Sequence, residues 1–340
     1  MNKICVVYTH GKLGDLIWQL PYIKAISDFH NQKITLIARP TTHAKILYKD
    51  LNYIDEIIYN TFKKKIYYLI ELIKLWIIFK NKKFTHIYLL DKVNRTAIAA
   101  KLSGIKNIIG VGIGNQKKWL TNKFFLNEED QKLTYSEQSQ KFCRINSIKV
   151  GSFYPEILIK KERLDSLNMN SYISKNFKVS FCVDSSEKYK IWPEEYFCIL
   201  AKMLYENNLG DLFFLISHPK NKSYVDKIIS LSDKNYFVDC SNMNLLEICK
   251  VILDSKFLVG NNTGPTNLAA ALNVKSYNLI SSSSLRENKF SKAVPILPDH
   301  YVDPINSTIK KVGDTFLKSR EEMKKITPQK VFNTISETLI

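Results

Sequence analysis

The feature that most constrains the fold of this chain is an alternation of short apolar strands with helices, which runs through the first half and resumes in the second. Strands that alternate with helices are joined by right-handed crossovers and pair in parallel. The pattern therefore predicts an α/β fold with two parallel, doubly wound sheets. The predicted strands are Ile4–Tyr8, Ile34–Ala38, Ile54–Tyr59, His86–Leu90 and Asn107–Val111, followed by Val179–Val183, Leu212–Ile216, Tyr236–Val238, Phe257–Val259 and Lys275–Ile280.

The length of 340 residues favours two domains over one, and a polar stretch over 112–152 interrupts the alternation near the middle. We predict a first domain over residues 1–155, a second over residues 156–325 and a closing helical segment over residues 326–340. If two such sheets face each other, a ligand would lie in the cleft between the carboxyl ends of their strands.

The charge balance is strongly basic, because 50 Lys and Arg residues against 32 Asp and Glu give a formal net charge of +18. Nucleic acid, acidic lipid and nucleotide-linked substrates would each suit such a chain, although a Lys-rich coding bias alone would also raise the charge. The basic residues form no recognisable nucleic-acid module, so we expect no nucleic-acid partner.

The cysteine usage indicates a reducing compartment. Six cysteines are scattered along the chain, mostly inside apolar runs, without a CxxC pair or zinc-type spacing. The apolar part of the N-terminal MNKICVVYTHGK is too short for a signal peptide and is typical of a first strand. We therefore expect a cytoplasmic protein without a metal site.

The segment Lys63–Lys80 carries lysines at its ends around a strongly apolar middle. It is too short to span a bilayer, and Glu71 and Lys74 interrupt it. Two interpretations stay open. The segment could be a helix that lies in an anionic membrane surface, with Lys and aromatic residues flanking an apolar stripe. It could also be a βαβ helix that covers the sheet and carries lysines at its ends for solubility.

The stretch Phe257–Asn273 predicts a strand, a tight turn and a helix in immediate succession. Gly260–Gly264 would form the turn, Pro265 suits the first position of a helix, and a small-residue helix would cover Thr266–Leu272. A glycine-containing turn between a strand and a helix N-terminus gathers free backbone N–H groups and attracts phosphate. The alternative is an ordinary strand-to-helix connection.

Asp15 is the most informative carboxylate outside this turn. It follows the turn Gly11–Gly14 at the carboxyl end of the first strand, where a ligand has room. There it could accept a proton from a substrate hydroxyl as a general base. Alternatively, Asp15 could simply cap a helix that starts at Leu16.

Two turns that follow predicted strands of the second half contain further candidates. Ser185, Ser186 and Lys190 could bind phosphate oxygens, unless their segment is a solvated loop. His218 could contact a nucleotide, although a lone histidine in such a turn is usually structural. The sequence has no P-loop, no GxGxxG after the first strand, no HExxH and no GxSxG, which argues against the enzyme classes that depend on those motifs.

These pieces together resemble glycosyltransferase family nine, the bacterial heptosyltransferases of lipopolysaccharide core assembly. The match covers nearly the whole chain in the family's order. The matching segments are Gly14–Leu16, Leu20–Ala25, His86–Asp91, Ile109–Gly110, Trp192–Phe197, Thr263–Pro265, Leu268–Leu272 and the closing helix.

The resemblance implies a GT-B fold, in which two Rossmann-like domains with parallel sheets face a central cleft. It implies the inverting transfer of a sugar, heptose or related, from a nucleotide-diphosphate donor to a lipid-linked saccharide such as lipopolysaccharide core, without a metal or another cofactor. The enzyme would act at the inner face of the cytoplasmic membrane. By this resemblance, Asp15 would be the general base, and Gly14, Lys12 and His10 would lie on the acceptor side. Ser185, Ser186 and Lys190 would contact the donor phosphates, and Thr263 and Gly264 would direct backbone N–H groups to the diphosphate. The other implied donor-side residues are Asn262, Asn267 and His218.

The sequence departs from the family pattern at two donor positions. The family usually has an Asp before the Thr/Ser-Gly pair and a His three residues after that glycine, where this chain has Asn262 and Asn267. Asn267 cannot supply the positive charge of a protonated histidine. A different donor, compensation by Lys188 and Lys190, or reduced activity would each explain the change. The alternative functions are therefore a non-catalytic binding relative and a GT-B sugar-nucleotide epimerase.

Overall fold

The structure is a computed structural model that describes residues 2–62, 67–167, 169, 177–232, 234–281, 283–288, 290–303 and 320–339. The chain forms two compact units, Met1–Ile159 and Lys160–Ile340. Each unit contains one parallel sheet, which confirms the predicted α/β class.

The sheet of the first unit has five strands in the order β3-β2-β1-β4-β5. Because β1 pairs with both β2 and β4, the direction of winding reverses beside it, and such a switch point is where open α/β sheets bind ligands. The elements are β1 Ile4–Val7, α1 Leu13–Ile17, α2 Leu20–His30, β2 Ile34–Ala38, α3 Ala44–Leu47, β3 Ile54–Tyr59, α4 Tyr68–Lys82, β4 His86–Leu89, α5 Asn94–Leu102, β5 Asn107–Gly110 and α6 Tyr135–Ile145.

The sheet of the second unit has six strands in the order β11-β10-β9-β6-β7-β8. Counted from β6, this is the order of Rossmann sheets, and the switch point lies between β6 and β9. The elements are α7 Lys161–Asp165, β6 Lys178–Cys182, α8 Glu194–Glu206, β7 Leu212–Ile216, α9 Lys222–Ser230, β8 Phe237–Asp239, α10 Leu245–Leu253, β9 Phe257–Asn261, α11 Gly264–Ala271, β10 Ser276–Leu279, β11 Ala293–Ile296, α12 Glu321–Lys324 and α13 Pro328–Thr338.

The strands form because their residues can be buried on both faces of a parallel sheet, as continuous β-branched and aromatic runs allow. Every residue of β1, β2, β7 and β9 is buried. At the centre of the second sheet, Gly260 of β9 lies opposite Cys182 of β6. A Cβ at this glycine would lie 2.5 Å from the Cys182 carbonyl oxygen, so only glycine lets the two strands approach this closely. Burial raises the pKa of Cys182 to about 12, consistent with an inert core thiol.

The structure corrects several predicted elements. The single helix expected from Leu16 is wrong, because α1 ends at Ile17 and α2 begins at Leu20. The polar stretch over 112–152 contains α6, which begins at the capping box of Thr134 and Glu137 and which the sequence prediction missed. Strand β11 and helix α12 were also missed.

Helix α4 is apolar on two opposite faces. Its inner face buries Leu75 and Phe79 in the core of the first unit. The inner face also buries Glu71, whose carboxylate accepts hydrogen bonds from Asn60 Nδ2 at 3.1 Å and Thr61 Oγ1 at 2.9 Å. The charge of Glu71 therefore lies on the inner face and does not interrupt the outer face. The exposed apolar residues of the outer face are Leu69, Ile70, Ile73, Trp76 and Ile77.

Of the predicted segment Lys63–Lys80, residues 63–66 lie outside the described residues. Among the helices that the structure describes, α4 included, none combines the length and the hydropathy that a membrane crossing requires.

Candidate active site

The predicted site residues fall into two groups, one at the switch point of each sheet. In the first unit, Asp91 follows β4, and its carboxylate connects the end of β4 with the residues that follow β1. Its Oδ2 accepts a hydrogen bond from the Thr9 N–H at 2.6 Å, and its Oδ1 accepts one from the Val93 N–H at 3.1 Å. Asp91 is buried, so these bonds fix the loop after β1 in which the other candidates lie.

Asp15 lies within the first turn of α1 and is half-buried. The helix begins at Leu13, so the alternative in which Asp15 caps a helix starting at Leu16 is wrong. Burial raises the pKa of the Tyr8 phenol well above its usual range, and the nearby carboxylates of Asp15 and Asp91 add to the shift. Tyr8 therefore stays protonated beside two carboxylates at this edge of the sheet.

The remaining acceptor-side candidates surround the same loop. Gly14 is buried inside α1 and Lys12 is exposed at its N-terminus. The His10 ring packs between two aromatic rings, with centroids 5.1 Å from Tyr8 and 4.2 Å from Tyr135. The structure thus brings Asp15, Gly14, Lys12 and His10 together at the carboxyl end of β1.

In the second unit, two buried polar residues hold the strand ends together. Asp184, which follows β6, accepts hydrogen bonds at its Oδ2 from the His218 N–H at 2.8 Å and from Asn221 Nδ2 at 3.1 Å. Asn261 at the end of β9 accepts a bond from the Trp192 N–H at 2.9 Å and donates to the Asp184 carbonyl oxygen at 3.3 Å. These contacts place the loop after β6 beside the end of β9.

The predicted phosphate turn is shorter than expected, because β9 extends through Gly260 and Asn261 and α11 begins at Gly264. The Thr263 N–H donates to Thr266 Oγ1 at 3.0 Å, so it is engaged within the helix cap and does not point to a diphosphate as predicted. The Gly264 N–H belongs to the first turn of α11, whose donors have no acceptor within the helix. The half-buried Thr263 hydroxyl lies 3.3 Å from Cys182 Sγ.

The other donor-side candidates differ in their surroundings. Ser185 is buried and its Oγ accepts a bond from the Glu187 N–H at 3.2 Å, whereas Ser186 is exposed. Lys190 forms an ion pair with Glu187, with 2.5 Å between Nζ and Oε2. His218 is exposed and its Nδ1 accepts a bond from the Lys220 N–H at 3.1 Å, so this histidine caps the turn that follows β7.

Sequence reasoning missed the residues that position these two groups, namely Asp91 in the first unit and Asp184 and Asn261 in the second. Each is the first polar residue after a buried apolar run, and that position was a usable signal. Among the described residues, no cluster of three His, Cys, Asp or Glu side chains could hold a metal ion.

Solved structures of similar fold span the whole chain. The structure of E. coli ADP-heptose LPS heptosyltransferase II covers 99% of this chain and 98% of its own, with a TM-score of 0.76 and 18% identity. A glycosyl transferase family 9 protein from Veillonella parvula covers 99% and 97%, with a TM-score of 0.78 and 16% identity. E. coli heptosyltransferase WaaC, solved with ADP-2-deoxy-2-fluoro heptose, covers 98% and 99%, with a TM-score of 0.72 and 14% identity. These similarities confirm the predicted GT-B class of fold.

The sequence itself supplies the family. No curated protein sequence matches the chain. The family model described as glycosyltransferase family 9 (heptosyltransferase) matches residues 73–289, which is more than half of the chain. The matched range begins in α4 and includes β6, β9, α11 and the loops after β6 and β7 that contain donor-side candidates. The chain belongs to glycosyltransferase family 9, the heptosyltransferases, and is a glycosyltransferase.

Proposed function

We propose that this glycosyltransferase moves a heptose or a related sugar, with inversion and without a metal ion, from an ADP-linked donor to a lipid-linked saccharide such as lipopolysaccharide core. One similar structure is of an ADP-heptose LPS heptosyltransferase and another is of a heptosyltransferase solved with ADP-2-deoxy-2-fluoro heptose, which supports the donor class. The supporting observation from this chain is the pairing of β6 with β9, which sets the Ser185–Lys190 loop beside the N-terminus of α11.

The proposed reaction is a single displacement. The Asp15 carboxylate accepts the proton of an acceptor hydroxyl, whose oxygen forms a bond to the anomeric carbon of the donor sugar. The bond between that carbon and the diphosphate breaks with its electron pair on the leaving oxygen. Attack opposite the leaving group inverts the anomeric configuration.

The leaving diphosphate needs preorganised donors and positive charge. The Gly264 N–H, the Ser185 and Ser186 hydroxyls and the Lys190 ammonium are the groups that we assign to this role. When the diphosphate binds, the Lys190 ammonium either leaves the Glu187 carboxylate for the phosphate oxygens or contacts both groups. Asn262 and Asn267 carry no charge, so Lys190 and the exposed Lys188 would supply the positive potential at this edge of the sheet.

Calorimetry with ADP, GDP, UDP and ADP-heptose, followed by a transfer assay with a lipid-linked core saccharide, tests the proposal. We expect binding of ADP and ADP-heptose, transfer that a chelator leaves unchanged, and a product with inverted anomeric configuration by NMR. A retained configuration would contradict the displacement. Consumption of ADP-heptose in the absence of any acceptor would favour an epimerase or hydrolase instead.

We further propose that the outer face of α4 contacts an anionic membrane from the cytoplasmic side. Exposed Ile73 and Trp76 lie on this face, and Trp76 Nε1 donates to the Leu102 carbonyl oxygen at 3.3 Å, which extends the apolar surface onto α5. Lys74, Lys80 and Lys101 are exposed around it. Apolar side chains flanked by lysines suit a helix that lies in the headgroup region of an anionic bilayer, where a lipid-linked acceptor would be found.

The double variant Leu69→Ser, Ile73→Ser should weaken binding to anionic vesicles about tenfold in co-sedimentation, because two aliphatic side chains no longer enter the interface. The matched control is Ile199→Ser, which removes a comparably exposed aliphatic residue from α8 and should leave vesicle binding unchanged. Equal loss in both variants, or binding to neutral vesicles that salt does not weaken, would argue against the proposed contact.

A further inference from the structure

Several polar side chains of the second unit have a buried atom to which no described residue forms a hydrogen bond, and three of them lie near the turn between β9 and α11. The three atoms are Ser281 Oγ, Asn288 Nδ2 and Asn267 Oδ1, in residues that are 5%, 9% and 4% exposed. A buried polar atom without a partner costs about 1–3 kcal/mol, so such atoms normally have a partner that is a ligand or an ordered water.

Hydrogen bonds fix the orientation of Asn288. Ser276 Oγ lies 3.1 Å from the Thr266 carbonyl oxygen and 2.5 Å from Asn278 Oδ1, and its hydroxyl donates to one of the two. Asn278 Nδ2 donates in turn to Asn288 Oδ1 at 2.6 Å. Because the Asn288 oxygen accepts this bond, its amide nitrogen is directed elsewhere and keeps its protons for another partner.

These residues lie beside the turn that we assign to the diphosphate. Strand β9 has β6 on one side and β10 on the other. The Asn262 N–H donates to the Leu279 carbonyl oxygen at 3.3 Å, so β10 ends against the turn, and Ser281 follows two residues later. The loop with Ser185 and Lys190 borders the turn from the β6 side, and the residues after β10 border it from the opposite side.

The hydrogen-bonding capacity of the three atoms suits a neutral ligand better than an anionic one. A serine hydroxyl donates and accepts, an asparagine nitrogen donates, and an asparagine oxygen accepts. None is charged, in contrast to the lysines of the Ser185–Lys190 side. Vicinal hydroxyl groups both donate and accept, so they complement this set, whereas a phosphate would leave Asn267 Oδ1 facing an anion.

We propose that Ser281 and Asn288, together with Asn267, bind the hydroxyl groups of the donor sugar and so determine which sugar the enzyme accepts. This inference rests on the proposed function, in which the diphosphate lies at the turn between β9 and α11. It adds a sugar subsite on the β10 side of that turn.

Calorimetric titration of ADP and of ADP-heptose into the full-length protein tests the subsite. Ser281→Ala removes one hydroxyl, and Asn288→Asp keeps the acceptor for Asn278 while removing the donor. Each should weaken ADP-heptose binding about fivefold, as loss of one neutral hydrogen bond does, and leave ADP binding unchanged. The control is Ser336→Ala. Ser336 lies in α13 and also has a buried hydroxyl that bonds to no described residue, and its replacement should change neither affinity.

The two proposals fail in different ways. If Ser281→Ala and Asn288→Asp weaken ADP and ADP-heptose equally, the residues support the turn or the nucleotide, and the sugar subsite is wrong. If Ser281→Ala changes neither affinity, water satisfies the hydroxyl and the subsite is equally wrong. If the unmodified protein binds neither ligand, the proposed donor class is wrong, and the subsite for its sugar is wrong with it.

Discussion

Replacement of Asp15 by asparagine should reduce sugar transfer by about a thousandfold, because general-base catalysis contributes between about a hundredfold and ten-thousandfold. Asparagine has the same shape but cannot accept the proton of the acceptor hydroxyl. The loss should appear in kcat, while ADP-heptose affinity stays unchanged, since the residues that we assign to the donor are in the other unit. Steady-state kinetics with the lipid-linked acceptor and calorimetry with ADP-heptose measure the two quantities.

Asp28→Asn provides the matched control. Asp28 is exposed on α2, where it pairs with Lys24 across 2.6 Å, and an exposed pair of this kind contributes little to stability. Transfer by this variant should equal that of the unmodified protein. Substantial transfer by Asp15→Asn would eliminate Asp15 as the base. A lower melting temperature in Asp15→Asn but not in Asp28→Asn would show that the Asp15 carboxylate stabilises the loop after β1.

Gly260→Ala should lower the free energy of unfolding by about 3 kcal/mol, at the upper end of what overpacking usually costs. The added Cβ would lie 2.5 Å from both the Cβ and the carbonyl oxygen of Cys182, and a backbone atom in a central strand cannot move aside as a flexible side chain can. For a unit of this size the melting temperature should fall by about 10 °C. Because the clash lies between β6 and β9, ADP binding should weaken as well.

Gly151→Ala tests whether the effect is specific to the strand pair. A Cβ at Gly151 meets no atom within 4 Å, so this substitution should leave the melting temperature unchanged. Differential scanning calorimetry compares the two variants. A Gly260→Ala protein as stable as Gly151→Ala would mean that β6 and β9 can separate without loss, contrary to their close packing.

Much of the fold could be predicted from the sequence because the strands are continuous apolar runs. The strands Ile34–Ala38, Ile54–Tyr59 and Leu212–Ile216 match their predicted bounds. The break between α1 and α2 was not predictable from periodicity, because apolar residues continue through it at helical spacing. The α6 helix was missed although Thr134 and Glu137 carry its start signal, since its surroundings are polar.

The candidate site was predictable in its position and less so in its contacts. The turns after β1, β6 and β9 were identified because parallel strands present their carboxyl ends at one edge. The engagement of the Thr263 N–H by Thr266 and the pairing of Lys190 with Glu187 depend on side-chain rotamers that sequence patterns do not encode. The same holds for Asp184, whose role comes from partners more than thirty positions away in the chain.

The two faces of α4 share no residues, and this separation has an evolutionary consequence. Glu71, Leu75 and Phe79 hold the helix to its unit, whereas Ile73 and Trp76 contribute to the outer surface. Substitutions on the outer face therefore leave the core of the unit intact. Under the proposed membrane contact, natural variation on this face could tune the affinity for bilayers of different composition, or abolish it, without lowering the stability of the unit.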